Sequence, residues 1–318
     1  MLDFLETAYF VAEVTGPIFL LVLLGALLRA VGVITPRFVD DSSRVVFLVA
    51  LPVLVFMAIA RADLAALYQP ALLGYFCLGT IITFIPLMWM ATRFISEPER
   101  CSAFVHGAFR GNYGIVALAL SVNVFGDQAL PQGAMILAVL VPLYNVLGVL
   151  AMTVPFKGHD RLSWGQVLRS TVTNPLILAV VLALPVALLQ LSLPPILDRT
   201  GTYFSHLTLP LALLGVGGSL TWRGLKQASG LSTVATLLKL VILPALLTLG
   251  ALVAGFRGQD AGMLFLAFAS PTAAASFIMT KAMGGDGELA GHIIALSTAL
   301  SVVSIGTGLF LLRTYGVI

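Results

Sequence analysis

Four prolines in the first half of the chain recur in the second half at one constant spacing of 158 residues. Pro17 matches Pro175, Pro36 matches Pro194, Pro52 matches Pro210 and Pro86 matches Pro244. Neighbouring residues keep the same register. Val14-Thr15-Gly16-Pro17 aligns with Val172-Thr173-Asn174-Pro175, Ala50-Leu51-Pro52 with Thr208-Leu209-Pro210, and Asp40 with Asp198. The spacing is close to half of the 318 residues, and each pair occupies the same point of a matching apolar segment. The pattern implies a duplicated chain, with residues 1–158 as a first unit and 159–318 as a second. Apolar segments arranged as two homologous halves are the signature of a secondary carrier.

The segments themselves fix the solvent. Residues are 59% apolar and 10% charged, against about 25% charged in soluble domains, so the chain is expected to be an integral membrane protein. A window of about 19 residues finds ten candidate spans: 14–33, 43–62, 70–92, 102–123, 131–154, 170–191, 202–221, 232–254, 261–283 and 289–313. They lack the alternation of barrel strands, so the expected fold class is all-α. Connections are too short to hold a soluble catalytic domain. Basic residues are scattered singly, which argues against a nucleic-acid partner. Cys77 and Cys101 lie in or beside apolar runs and suggest no disulfide framework. Acidic Asp3, Glu6 and Glu13 near the start argue against a cleavable signal peptide.

Lys and Arg divide unevenly between the two sets of loops. One set holds Arg29, Arg37, Arg44, Arg93, Arg100, Lys157, Arg161, Arg169, Arg223 and Lys226; the other holds Arg61, Arg199, Arg257 and Arg313. The richer set is expected in the cytoplasm, with both termini outside. Five spans per half is an odd number. The second unit must therefore enter the membrane the other way up, which makes the duplication an inverted repeat.

Two spans are interrupted. The fourth contains Phe109-Arg110-Gly111-Asn112-Tyr113-Gly114, and the ninth contains Ala269-Ser270-Pro271-Thr272 at the same spacing. Glycine lets a helix open, and proline in mid-span removes a helical hydrogen bond. Breaks at corresponding points of an inverted repeat expose backbone amides and helix ends near the bilayer midplane, where carriers bind their solutes. Asn112, Ser270 and Thr272 are the expected polar side chains of that site. Taken one at a time, each break equally fits a helix-packing notch.

At these residues the chain resembles the auxin efflux carrier family of the bile, arsenite and riboflavin transporter superfamily. That family includes bacterial malate and malonate permeases and plant auxin exporters. The resemblance runs through Arg110 to Gly114, Asn174-Pro175 opening the sixth span, Leu209-Pro210-Leu211, Ser270-Pro271 through Lys281, and Ser297-Thr298. It implies ten helices in two inverted repeats of five, with the fourth and ninth crossing at their broken midpoints. It also implies organic-anion substrates, with Asn112 and Asn174 approaching the solute. The family's fourth-span motif usually carries a proline after its second glycine; here the residues are Ala117-Leu118-Ala119-Leu120.

The expected function is therefore secondary active transport of small organic anions such as malate, malonate or auxin-like acids, by an elevator-like or rocking movement. A sodium-coupled symporter of bile-acid-like anions is the alternative. The expected location is a bacterial inner membrane, with the lipid bilayer and a second copy in a homodimer as partners. Substrate-binding candidates are Arg110, Gly111, Asn112, Tyr113, Ser270, Pro271, Thr272, Asn174, Asn145 and Pro52. Arg110 either faces the site or snorkels to the cytoplasmic surface. Lys239 and Lys281 are expected at the interface, and Trp89, Trp164 and Trp222 as aromatic-belt anchors. Asn145 serves either the site or helix packing.

No Asp or Glu falls within a span interior, so a cation is not the expected substrate. No cofactor or metal site is expected beyond a coupling ion, Na+ or H+. A proton relay would draw on His106 and His206. An intramembrane enzyme is not expected, because His106, His206 and His292 lack partners at metal-ligand or nucleophile–base spacing. Without appended domains, a receptor or scaffold is not expected either.

Overall fold

The computed structural model describes residues 2–62, 69–156, 165, 169, 172–220 and 229–318. Trp164, Trp222, Lys157, Arg161, Arg223, Lys226 and the junction of the two sequence halves lie outside them. The described chain is helical and contains no β-strand. Its helices are α1 (Leu2–Ala30), α2 (Pro36–Ala60) and α3 (Pro70–Phe94), α4 (Pro98–Phe109) and α5 (Tyr113–Phe125). They continue with α6 (Ala129–Thr153), α7 (Pro175–Leu188), α8 (Pro195–Ser219) and α9 (Gly230–Val253). The last three are α10 (Gly258–Ala269), α11 (Ala275–Ala282) and α12 (Gly287–Thr314).

Proline sets many of these starts. Pro36, Pro70, Pro98, Pro175 and Pro195 occupy the first helical turn, where the missing N–H is no loss. Side-chain caps complete several more. Thr35 accepts from the Phe38 amide, Asn174 from Leu176, Ser229 from Ser232 and Asp286 from Leu289. Interior prolines are absorbed differently. In α2 and α9, Pro52 and Pro244 each follow a π-helical turn, Val46–Ala50 and Leu238–Ile242, which widens the helix ahead of the ring.

Among the described residues, six helices are long and apolar enough to cross a membrane: α1, α2, α3, α6, α9 and α12. The other expected spans differ for local reasons. The fourth and ninth are each split in two. Over the described residues α7 is only 14 residues long, and α8 carries Asp198, Arg199 and His206. Large apolar side chains face outward, among them Leu20, Ile82, Leu182 and Val303. Such faces are stable only against lipid or another apolar surface. Trp89 is exposed among them.

The helices form two groups. α1 packs along α8, and α2 packs against α7 and α8. The remaining helices surround α4, α5, α10 and α11, with α12 against α4 and α9, and α6 against α3, α4 and α5. Contacts of α1 with α12 and α5, and of α6 with α2 and α7, join the groups. The core of the second group holds the split helices.

Candidate functional site at the helix crossing

α4 stops at Phe109 because Arg110 turns to extended backbone, φ −81° and ψ 104°. α10 stops at Ala269, where Ser270, ahead of Pro271, takes ψ 140°, the extended region that a following proline favours. The two breaks then pair with each other. The Asn112 amide donates to the Pro271 carbonyl at 2.7 Å, and the Ala273 amide donates to the Arg110 carbonyl at 3.2 Å. Gly111 lies opposite Thr272 in an antiparallel bridge. Backbone groups freed by each break are thus satisfied by the other, as a polar chain within lipid requires. Facing residues sit three positions off the 158-residue register, so repeat equivalence and contact are different relations here.

Gly111 is needed for close approach, not for an unusual backbone angle. A Cβ there would overlap the Ser270 hydroxyl and lie 3.0 Å from the Lys239 ammonium. Gly114 is less constrained, with Leu51 and Leu137 each 3.3 Å from a built Cβ. α5 opens on a π-helical turn over Tyr113–Ala117.

Neighbouring helices brace the crossing. Tyr144 on α6 accepts from the Gly111 amide at 3.3 Å, and Ser297 on α12 accepts from the Thr272 amide at 3.1 Å. Thr272 Oγ1 donates to the Gly107 carbonyl at 2.7 Å, and Ser270 Oγ donates to the Ala267 carbonyl at 2.9 Å. Both hydroxyl protons are therefore engaged within the protein. Asn112 differs: its side-chain amide makes no hydrogen bond among the described residues. The Tyr113 hydroxyl is buried without a hydrogen-bond partner among the described residues.

Other sequence candidates lie apart. Asn174 caps α7, and no hydrogen bond among the described residues joins it to the crossing. Asn145 is half-buried on α6 beside Tyr144. Pro52 is buried in α2, next to the Leu51 that packs at Gly114.

Two cations stand at the crossing. Arg110 turns inward, its Nη1 3.4 Å from both His106 Nε2 and Met279 Sδ, with its guanidinium 5.9 Å from the Tyr144 ring centre. It forms no ion pair among the described residues. Lys239 corrects the sequence expectation. It is not interfacial but 3% exposed, and its ammonium donates to the Phe268 carbonyl at 2.7 Å. The π-helical turn Leu238–Ile242 contains it. Lys281 is exposed, as expected. Of the histidines, His106 is fully buried, between Arg110 and Thr280 Oγ1 at 3.5 Å, whereas His206 is exposed. Among the described residues no three His, Cys, Asp or Glu side chains cluster as metal ligands.

Helix ends, amides and cations converge at this crossing. Similarity to known proteins indicates the class of the chain. Residues 158–307 match a family model described as membrane transport protein. An uncharacterized transporter of Methanothermobacter thermautotrophicus is 26% identical over 295 residues, covering 92% of this chain and 95% of its own. An uncharacterized transporter of Methanocaldococcus jannaschii is 20% identical, covering 91% of this chain and 94% of its own. A Rhizobium meliloti protein, provisionally named a malonate transporter, is 25% identical over 319 residues, covering 95% of this chain and 97% of its own. The chain is a membrane transporter, not an enzyme, and its second half carries the match to the membrane transport protein family.

Proposed function

We propose that this transporter is a secondary active carrier of small organic anions, carboxylates such as malonate, malate or auxin-like acids. In this reading its ten spans form two inverted repeats of five, 1–158 and 159–318, in a cell membrane with both termini outside. The observation that carries the anion assignment is Arg110, a half-buried guanidinium with no carboxylate partner among the described residues, two positions along the same break from Asn112, whose side-chain amide makes no hydrogen bond among them. An unpaired cation inside a span is expensive, and an anionic solute offsets that expense. The first turns of α5 and α11 add the positive ends of two helix dipoles at the same place. The malonate name of the Rhizobium relative fits this chemistry.

Alternating access follows from the two helix groups. The group holding the crossing moves against α1, α2, α7 and α8, exposing Arg110 and Asn112 to one side and then the other. Purified protein melted against malonate, malate and an aromatic monocarboxylate tests the substrate class. A ligand at 100 times its Kd raises stability by about 2.7 kcal/mol, so one of the three is expected to raise the melting temperature. Asn112→Ala is expected to melt normally without ligand and to lose about tenfold in affinity, close to 1.4 kcal/mol. Unchanged binding and uptake by that variant would remove Asn112 from the site, and no response to any carboxylate would overturn the anion assignment.

A further inference from the structure

Sodium-coupled carriers hold their ion with the carbonyls at the end of a broken helix. Here that position is filled by the protein itself. The Lys239 ammonium donates at 2.7 Å to the Phe268 carbonyl in the last turn of α10. It also lies 3.0 Å from where a Gly111 side chain would begin. Beside it is a cavity of about 10 Å³ lined by Thr80, Thr83 and Tyr144 among the apolar side chains of Phe109, Leu243, Leu247 and Phe268, which is room for about one water-sized sphere. The Phe268 carbonyl is the oxygen the ammonium contacts, and carbonyl and hydroxyl oxygens are the ligands that suit a small hard cation. No carboxylate pairs with Lys239 among the described residues, so its partners are the dipoles such an ion would use.

We propose that Lys239 is a tethered replacement for a coupling cation, which leaves this carrier independent of sodium while preserving a latent monovalent-cation site. Three observations converge on it. The π-helical turn at Leu238–Ile242 directs one lysine of an otherwise apolar helix inward. A cation at the C-terminal end of α10 also complements the helix dipole. And Gly111 leaves the space into which the ammonium reaches. The inference rests on the crossing being the transport site, but its first test, a salt comparison, needs no knowledge of the anion; only the uptake arm draws on a carboxylate found by the screen.

The test is thermal unfolding of purified protein in sodium chloride and in choline chloride at equal ionic strength. Wild type is expected to melt at the same temperature in both. Lys239→Ala opens the position, so it is expected to melt lower in choline and to recover saturably as sodium replaces choline. Lys239→Met fills the space without charge and is expected to show no sodium response. Wild type stabilised by sodium over choline would overturn the proposal, and so would a Lys239→Ala variant that melts alike in both salts. If the alanine variant does not fold, wild-type uptake in proteoliposomes decides: the same rate with and without a sodium gradient supports the tethered cation, and sodium-driven uptake refutes it. Failure of the carboxylate screen leaves this salt comparison intact.

Discussion

Gly111 shows how narrowly one residue can set the crossing. Its missing side chain lets Ser270 and Lys239 approach the α4–α5 link from the opposite break. Gly111→Ala is therefore an overpacking change, expected to destabilise by about 1–3 kcal/mol. Ser270→Gly in the same chain removes the hydroxyl that clashes and is expected to restore part of the loss. Thermal unfolding of the four proteins in a double-mutant cycle measures this, and strict additivity would show that the two residues do not meet. The break itself was readable from sequence, because Gly111, Gly114 and Pro271 interrupt apolar runs at matching points. Its supports were not. Tyr144, Ser297 and Lys239 come from other helices, 33, 25 and 29 residues from the groups they contact. Periodicity says that such residues lie on helices, not which way those helices are turned. For Lys239 the π-helical turn decides that direction, and a charge near a span end otherwise reads as interfacial.

Among the elements, α1 and α8 approach each other backbone to backbone. A Cβ on Gly217 would overlap the Val22 carbonyl, and one on Gly25 would overlap the Leu214 carbonyl. Small residues that let two backbones touch are the usual means of joining helices in lipid, where apolar burial gives no drive. Gly217→Val is expected to lower stability by about 1–3 kcal/mol or more by forcing the helices apart. Gly16→Ala in α1 is the control: its Cβ meets nothing within 4 Å, so alanine is expected to be neutral or stabilising by up to about 1 kcal/mol. Melting temperatures of both variants check the pair. Helix starts were legible because proline and capping residues announce them. The end of α7 was not. There Gln190, at φ 49°, turns the chain without a glycine, and Leu191 bonds back to the Val186 carbonyl. Nor could apolar patterning foresee which helices gather into which group, since every segment is apolar on most faces.

At the scale of the whole molecule, the lengths of the half-helices locate the crossing. α4 and α10 each have 12 residues, about 18 Å of helix, which is over half of a hydrocarbon layer of about 30 Å. With α4 and α10 starting at the two faces of that layer, Arg110 and Lys239 would lie deep within it, whereas Arg61, paired with Asp198 at 2.6 Å, belongs to the other helix group. Movement of the crossing along the membrane normal, as proposed, would carry with it two positive charges that have no carboxylate partner among the described residues. An elementary charge crossing a 100 mV potential gains or loses about 2.3 kcal/mol, so the return step of an empty carrier moving in this way would be a current. A bound dianion would cancel that charge, whereas a monoanion would leave half of it. Uptake of a dicarboxylate into proteoliposomes should therefore ignore an imposed potassium-diffusion potential during the loaded step, while a monocarboxylate should respond to it. Equal responses would mean that the two cations do not travel together. In a carrier whose crossing moves in this way, a lysine and an arginine without a carboxylate partner among the described residues would make the membrane voltage itself a selector of substrate valence.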